Sequence, residues 1–402
     1  MKVVVLGMVA ALVFSAGAAY LVFVPNSQKP IPIATLTAAA GSTIYDTSSI
    51  VELFRQLFVL QQKVKELQPP LATTTIPFAP NVGTTTTSKK APVKAVKPVA
   101  PKVVAPVNTE TKLGLALPKL RSAIVNIVCI PNKAGTGLRG ISGTGVIIDS
   151  RGIILTVAHV AQYELIAAAR PDLLTCVVRT GSPAASAYFA KPIYVSQDWI
   201  DRNSKLLSSS DPRGTGEDDF ALLAITETAT KTPLPASFPS VSLANNTPTL
   251  KQGVVIGSYG AEFLSTETIR SGIFPTLVFA SVKDRLTFGS QMVDLISLGG
   301  GAAAQEGSSG GGAVNEDAQL VGLITSRSNA ANLNDRDLRA ITNTYLQSAF
   351  REETGESIDS FLSTDRKSLV SDYASDATKL GAMLVKVNRI TNQVSISTPT
   401  GL

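Results

Sequence analysis

GIILTVAHV, residues 152–160, is an apolar run that closes on small residues and the only histidine of the chain, His159. A run of this length with β-branched residues reads as a buried strand. Small residues at its end leave the imidazole at a rim, beside a turn. Similar runs lie on either side: AIVNIVCI (123–130), TGVIID (144–149), CVVRTG (176–181), DFALLAI (219–225), QGVVIGSYG (252–260) and AQLVGLITS (318–326). Gly, Pro, Asn, Asp or Ser bounds them. Many short runs without intervening helical patterns predict an all-β sandwich or barrel pair. A doubly wound α/β sheet would need helices of roughly 10–15 residues between its strands.

The composition narrows the chemistry. The 402 residues include two cysteines and one histidine. A Cys/His zinc site, a haem attachment motif and a Cys-x-x-Cys redox pair need more ligands or closer spacing. Charged residues make up 16% against 44% hydrophobic, so there is ample material for a core.

Two further segments carry reactive groups. Glu217-Asp218-Asp219-Phe220 stands directly ahead of a buried strand. An acid there is either a strand-entry cap or a carboxylate that accepts an imidazole Nδ1–H and fixes its tautomer. Gly307-Ser308-Ser309-Gly310-Gly311-Gly312 is either a flexible loop or a tight turn that exposes a serine hydroxyl. In the second case the N–H groups of Gly307 and Ser309 form an oxyanion hole. No Lys-Ser/Thr follows the glycines, so the loop is not a Walker-type phosphate cradle.

In the order His, Asp, Ser, these segments resemble the chymotrypsin-like serine proteases. TVAHV is similar to the family's T-A-A-H segment, DFALL to D-x-A-L-L, and GSSGG to G-x-S-G-G. SGTGVIID (142–149) looks like the S-G-x-G segment of the bacterial HtrA/Deg-type branch, and LVGLITS (320–326) like the strand that lines the substrate cleft. The resemblance covers residues 115–355. It implies two six-stranded antiparallel β-barrels with a cleft between them and a C-terminal helix. It implies Ser309 as nucleophile, His159 as general base and then acid, and Asp219 as the group orienting His159, with Asp218 as runner-up. Gly307 and Ser309 would supply the oxyanion hole. Backbone groups of Thr325, Ser326 and Arg327 would pair with an extended polypeptide substrate, and Ala303 would sit where trypsin carries its basic-selective acid. Cys129 and Cys176 fall on neighbouring strands of the family's first barrel, which implies a disulfide. No metal or organic cofactor is implied. Three positions depart from the pattern: Gly312 in place of a common Pro, Ser308 in place of the acid of zymogen-activated members, and Ala303 itself. The alternatives are a protease-like binding module and an esterase with the same triad.

Upstream, residues 3–24 hold 22 apolar or small residues without charge, enough to span a bilayer as a helix. Residues 1–25 therefore read as a membrane anchor, with a cleaved signal peptide as the alternative because Ala16-Gly17-Ala18 fits a cleavage site. The remainder is then extracytoplasmic. Ile50, Leu57, Val64 and Leu53, Leu60, Leu67 form an a/d seam, so residues 46–68 read as a short coiled coil and 49–68 as a homo-oligomer contact. The alternative is a helix packed on its own chain. Residues 69–112 hold eight prolines and six lysines against Glu110 alone, +5 of the chain's +6 charge. This is a semi-rigid linker, and its lysines lack the aromatic partners of a nucleic-acid surface. The peptidase-like domain spans 113–355, with helical spacing over 335–353. A helical or flexible tail spans 356–402, with a further helix near 365–387. No PDZ domain is predicted.

Overall fold

The structure is a computed structural model and describes residues 112–208, 214–289 and 292–390. The expected anchor (1–25), the coiled coil (46–68) and all but the last residue of the linker (69–112) lie outside the described residues. Among the described residues, no helix is long and apolar enough to cross a membrane.

Helix α1 (Lys112–Ala123) leads into β1 (Ile124–Pro131), whose first six residues are all buried. Strands apolar on both faces need cover on both faces. A closed barrel wrapped by helices provides it. Hydrogen bonding runs in the order β1-β2-β3-β6-β5-β4, with β2 (Ile141–Asp149), β3 (Ile153–Thr156), β4 (Leu174–Gly181), β5 (Ala184–Val195) and β6 (Ala221–Thr228). Cys129 faces Cys176 across the β1–β4 ladder, and the two form a disulfide, as the family resemblance implied.

The run 152–160 is not one strand. β3 stops at Thr156, Val157 stays extended as a cap, and His159 lies in the first turn of α2 (Ala158–Ala169). Alanine-rich AHVAQYELIAAA favours helix. From Ala158 to Ile166 every residue but His159 is buried. A helix buried nearly all round, with Gln162 and Glu164 among its buried residues, has no amphipathic period to betray it. Ile153, Ile154 and Leu155 are fully buried. Each contributes roughly 1.5–3 kcal/mol, which anchors the chain just ahead of His159.

After β5 come α3 (Gln197–Asn203) and the approach to β6; after β6 the chain crosses to a second sheet. Its strands are β7 (Gly253–Ser258), β8 (Thr276–Ser281), β9 (Asp284–Leu286), β10 (Leu295–Gly299), β11 (Gly312–Val314), β12 (Leu320–Arg327) and β13 (Leu338–Thr342). Helix α4 (Thr266–Ser271) joins β7 to β8. The order is β8-β7-β11-β12-β13-β10-β9, seven strands rather than a closed barrel of six. The extra strand arises because the run 276–286 breaks at a buried Val282. Val282 exchanges backbone hydrogen bonds with the β7 side (Val282 N to Gln252 O, 3.0 Å; Lys251 N to Val282 O, 2.9 Å), and Lys283 N donates to Ser297 O on β10 (2.8 Å). The two edge strands are therefore successive in the chain, and this bend curls the sheet.

The helical spacing over 335–353 holds only in part. Leu338 and Ile341 belong to β13, and α5 (Asn343–Thr354) begins after it. Thr342 Oγ1 accepts from Tyr345 N (3.1 Å), an N-cap that starts the helix. α6 (Ile358–Ser363) and α7 (Arg366–Val387) follow, the latter over the span read from the sequence. They return to the first barrel. Tyr373 Oη accepts from Val195 N (3.1 Å), Arg366 donates to Arg151 O (2.7 Å), and Asn388 donates to Ser204 O (2.8 Å).

Candidate active site

His159 is the second residue of α2, where backbone N–H groups have no partner within the helix. Its N–H donates to Asp219 Oδ1 (2.9 Å), and its Nδ1 lies 2.7 Å from Asp219 Oδ2. With Asp219 as acceptor, the ring proton belongs on Nδ1, which leaves Nε2 as the free base. Asp219 is 4% exposed. Its Oδ2 also accepts from Thr325 Oγ1 (2.7 Å). Three donors thus converge on one buried carboxylate at a helix N-terminus, where negative charge is favoured. Burial works against a charged imidazole, but the Asp219 charge and hydrogen bond outweigh it and raise His159 above its ordinary 6.5.

Asp218 takes a different direction. It sits at φ 54°, pairs with Arg202, and accepts from Tyr345 Oη (2.8 Å). The neighbouring carboxylates therefore diverge, and Asp219 is the one on the imidazole.

Ser309 lies between β10 and β11, in a loop held by the first barrel. Thr144 N on β2 donates to Ser309 O (2.8 Å), and Thr144 Oγ1 donates to Gly307 O (2.8 Å) while accepting from Tyr259 N (2.9 Å). Thr144 O accepts from Thr156 Oγ1 (2.7 Å), three residues ahead of His159. On the other side, Gly310 N donates to Ile324 O (2.7 Å), next to Thr325 on Asp219. These two chains bring the histidine, aspartate and serine segments to one junction between the sheets. Gly307 and Gly310 have φ of 88° and 84°; a Cβ on Gly310 would lie 1.9 Å from Thr144 O. Only glycine takes this turn against that wall. Among the described residues, the N–H groups of Gly307 and Ser309 make no hydrogen bond.

The other expected substrate positions are spread around this junction. Ser326 and Arg327 are half-buried on β12 and pair with β13. The opposite edge of β12 pairs with β11 only as far as Leu323. Thr325 is buried, with its hydroxyl on Asp219. Ala303 is buried among the apolar residues of the second sheet.

Three contributors escaped the sequence reading: Thr144, Glu262 and Arg336. Arg336 Nη1 and Nη2 donate to Glu262 Oε2 (2.6 Å) and Oε1 (2.8 Å). Arg327 approaches the same carboxylate at 3.3 Å. Glu262 is held down to about 2 by its Arg336 hydrogen bonds, against burial and with help from the Glu306 N–H and both arginine charges. Only Thr144 had a visible signal, its place inside the Ser-Gly-Thr-Gly segment.

Residues 143–323 match the family model of the trypsin-like peptidase domain. These residues form a trypsin-like peptidase domain. Among solved structures, the chain is similar to the active form of the Rv3671c protease from M. tuberculosis, at 17% identity and a TM-score of 0.37, covering 65% of this chain and 95% of that one. An inactive serine-to-alanine mutant of the same protein, from M. tuberculosis H37Rv, gives 17% and 0.36 over 65% and 98%. No curated protein matches the chain.

Proposed function

We propose that the peptidase is a membrane-tethered, extracytoplasmic serine endopeptidase that cleaves through His159, Asp219 and Ser309. The observation that carries this reading is the convergence of His159 Nδ1, His159 N and Thr325 Oγ1 on Asp219. It defines the tautomer a general base needs.

Ser309 Oγ attacks the scissile carbonyl carbon as His159 Nε2 takes its proton. The tetrahedral oxyanion accepts from the N–H groups of Gly307 and Ser309. The imidazolium, stabilised by Asp219, protonates the leaving amine, and the acyl group remains on Ser309. Water, deprotonated by His159, then releases the acid and restores the enzyme. An extended polypeptide adds along the unpaired edge of β12 at Thr325–Arg327. Ala303 lies close in sequence to the nucleophile and contributes to the P1 side of that cleft. Residues 1–25 supply the tether, and residues 49–68 bring copies together at the membrane.

Fluorophosphonate labelling of the full-length chain tests the chemistry, beside Ser309→Ala and His159→Ala. Labelling of the parent alone supports an activated serine, and cleavage of a peptide library then separates a peptidase from an esterase. No labelling of a folded parent protein makes the domain a binding module.

A further inference from the structure

An oxyanion hole needs its N–H groups aimed before the substrate arrives. Gly307 N belongs to the Glu306–Gly307 peptide. The carbonyl of that peptide accepts from Ala261 N (2.7 Å). In a trans peptide the C=O and N–H point to opposite sides, so this bond sets the direction of Gly307 N–H. One residue back, Glu306 N donates to Glu262 Oε2 (3.1 Å). Both polar groups of the Glu306 backbone are thus held by consecutive residues of the 259–262 loop. The loops touch along their length: a Cβ on Gly260 would strike the Gln305 side chain, and one on Gly307 would lie 2.7 Å from Tyr259 O.

Glu262 is held in turn. Arg336 grips it with two hydrogen bonds, donates to Ala304 O (2.7 Å) and Ala330 O (2.7 Å), and is 5% exposed as a side chain. A buried guanidinium survives only with its donors satisfied. It therefore fixes three backbone segments at once: 259–262, 302–306 and 330–336. Arg327 and Glu306 add one charge of each sign (3.5 Å), so the cluster is neutral. The loop has no carboxylate at position 308, where Ser308 is buried on Ser258 (3.1 Å).

We propose that Glu262, backed by Arg336, is the positioning residue that presets the Glu306–Gly307 peptide for oxyanion binding. This rests on the serine-peptidase reading with Ser309 as nucleophile. The acceptor oxygen and the bidentate grip have separate duties. The oxygen orients Glu306, and the grip keeps the oxygen in place.

The test is the fluorophosphonate reaction of the full-length chain, resolved into a maximal labelling rate and a half-saturation concentration, with thermal unfolding alongside. Loss of an oxyanion donor costs on the order of 10²–10³ in rate. Partial misalignment in Glu262→Ala is expected to cost roughly 10–100-fold in maximal rate, with half-saturation unchanged. Glu262→Gln keeps an oxygen for Glu306 N–H but loses one of the two Arg336 hydrogen bonds, and is expected to label at a rate between those of the parent and Glu262→Ala. Glu262→Asp keeps the charge but withdraws the acceptor, and is expected to behave like Glu262→Ala. It also serves if Glu262→Ala does not fold. Parent-like labelling of both Glu262→Ala and Glu262→Asp overturns the proposal alone. So does a Glu262→Gln protein slower than Glu262→Asp, since the charge rather than the acceptor oxygen would then set the rate. A folded parent protein that does not label overturns the peptidase reading and this proposal together.

Discussion

The first barrel presents His159 and Asp219 from the ends of elements buried on all sides, whereas the second sheet presents Ser309 from a glycine-rich loop between two short strands. Apolar packing and ladder hydrogen bonds position the acid–base pair, with the Cys129–Cys176 disulfide across β1 and β4. The nucleophile loop depends on polar contacts from neighbours: Thr144, Ala261, Ile324 and the Glu262–Arg336 pair. Half of the site is thus set by burial and half by hydrogen bonding. The halves should fail in different ways when residues are changed.

Asp219→Asn should produce the largest effect. It leaves the barrel packing intact but replaces a pure acceptor with an amide, and the imidazole loses its tautomer. The loss in turnover is expected on the order of 10⁴-fold, with little change in melting temperature. The chain has a single histidine, so its ring resonance can be followed by NMR without assignment. Asp219 raises His159 above 6.5. Removing its charge should move that titration, and the acid limb of activity, to lower pH. An unchanged titration would mean that Asp219 does not face the imidazole in solution, and the first half of the comparison would break.

Much of this half was legible. The strands around His159 and Asp219, the order of the three reactive segments and the Cys129–Cys176 pairing all have local signals or follow from the resemblance. The α2 start did not, because Ala158–Ile166 is buried on nearly every side, Gln162 and Glu164 included, and so shows no amphipathic period. The break at Val282 was hidden because a bent strand and a straight one share the same alternation. Glu262 and Arg336 were hidden for another reason. They lie 74 residues apart, and no periodicity couples two loops. Thr325 was placed at the site for its backbone, while its hydroxyl went to Asp219; pattern matching locates a strand but not the target of one side chain.

Glu164 sharpens the comparison from inside the first barrel. It is 6% exposed on α2, its Oε1 has no hydrogen-bond partner among the described residues, and it lies beside the disulfide sulfurs. Burial pushes its carboxyl up to about 8. A folded-state value above the unfolded 4.5 means full stability below that pH, and loss as pH rises toward 8. His159 has the same sign but contributes only above 6.5, and Glu262, lowered to about 2, acts below 4.5. Between pH 4.5 and 6.5 the parent should lose about 2 kcal/mol, a melting-temperature fall of roughly 5–10 °C. Glu164→Gln should give a flat curve over that window. Two equally sloped curves would show that this carboxyl stays hydrated, and the barrel interior would be less closed than its burial indicates.

Thr144 is where the two halves meet, and the smallest of these effects belongs to it. Its side chain donates to Gly307 O and accepts from Tyr259 N. Thr144→Val keeps the shape but strands one buried acceptor and one buried donor, and Thr144→Ser keeps both bonds. The cost of an unmade buried hydrogen bond, roughly 1–3 kcal/mol, puts the valine variant about 2 kcal/mol below the parent. If the hydroxyl also sets the nucleophile loop, labelling of Ser309 should slow by about tenfold in Thr144→Val, since one lost hydrogen bond of that strength shifts a population by such a factor. The serine variant should match the parent in both measurements. A valine variant that melts lower yet labels at the parent rate would make Thr144 part of the wall alone. The first barrel would then support the nucleophile loop without orienting it, and orientation would fall to Ala261 and Glu262 within the second sheet.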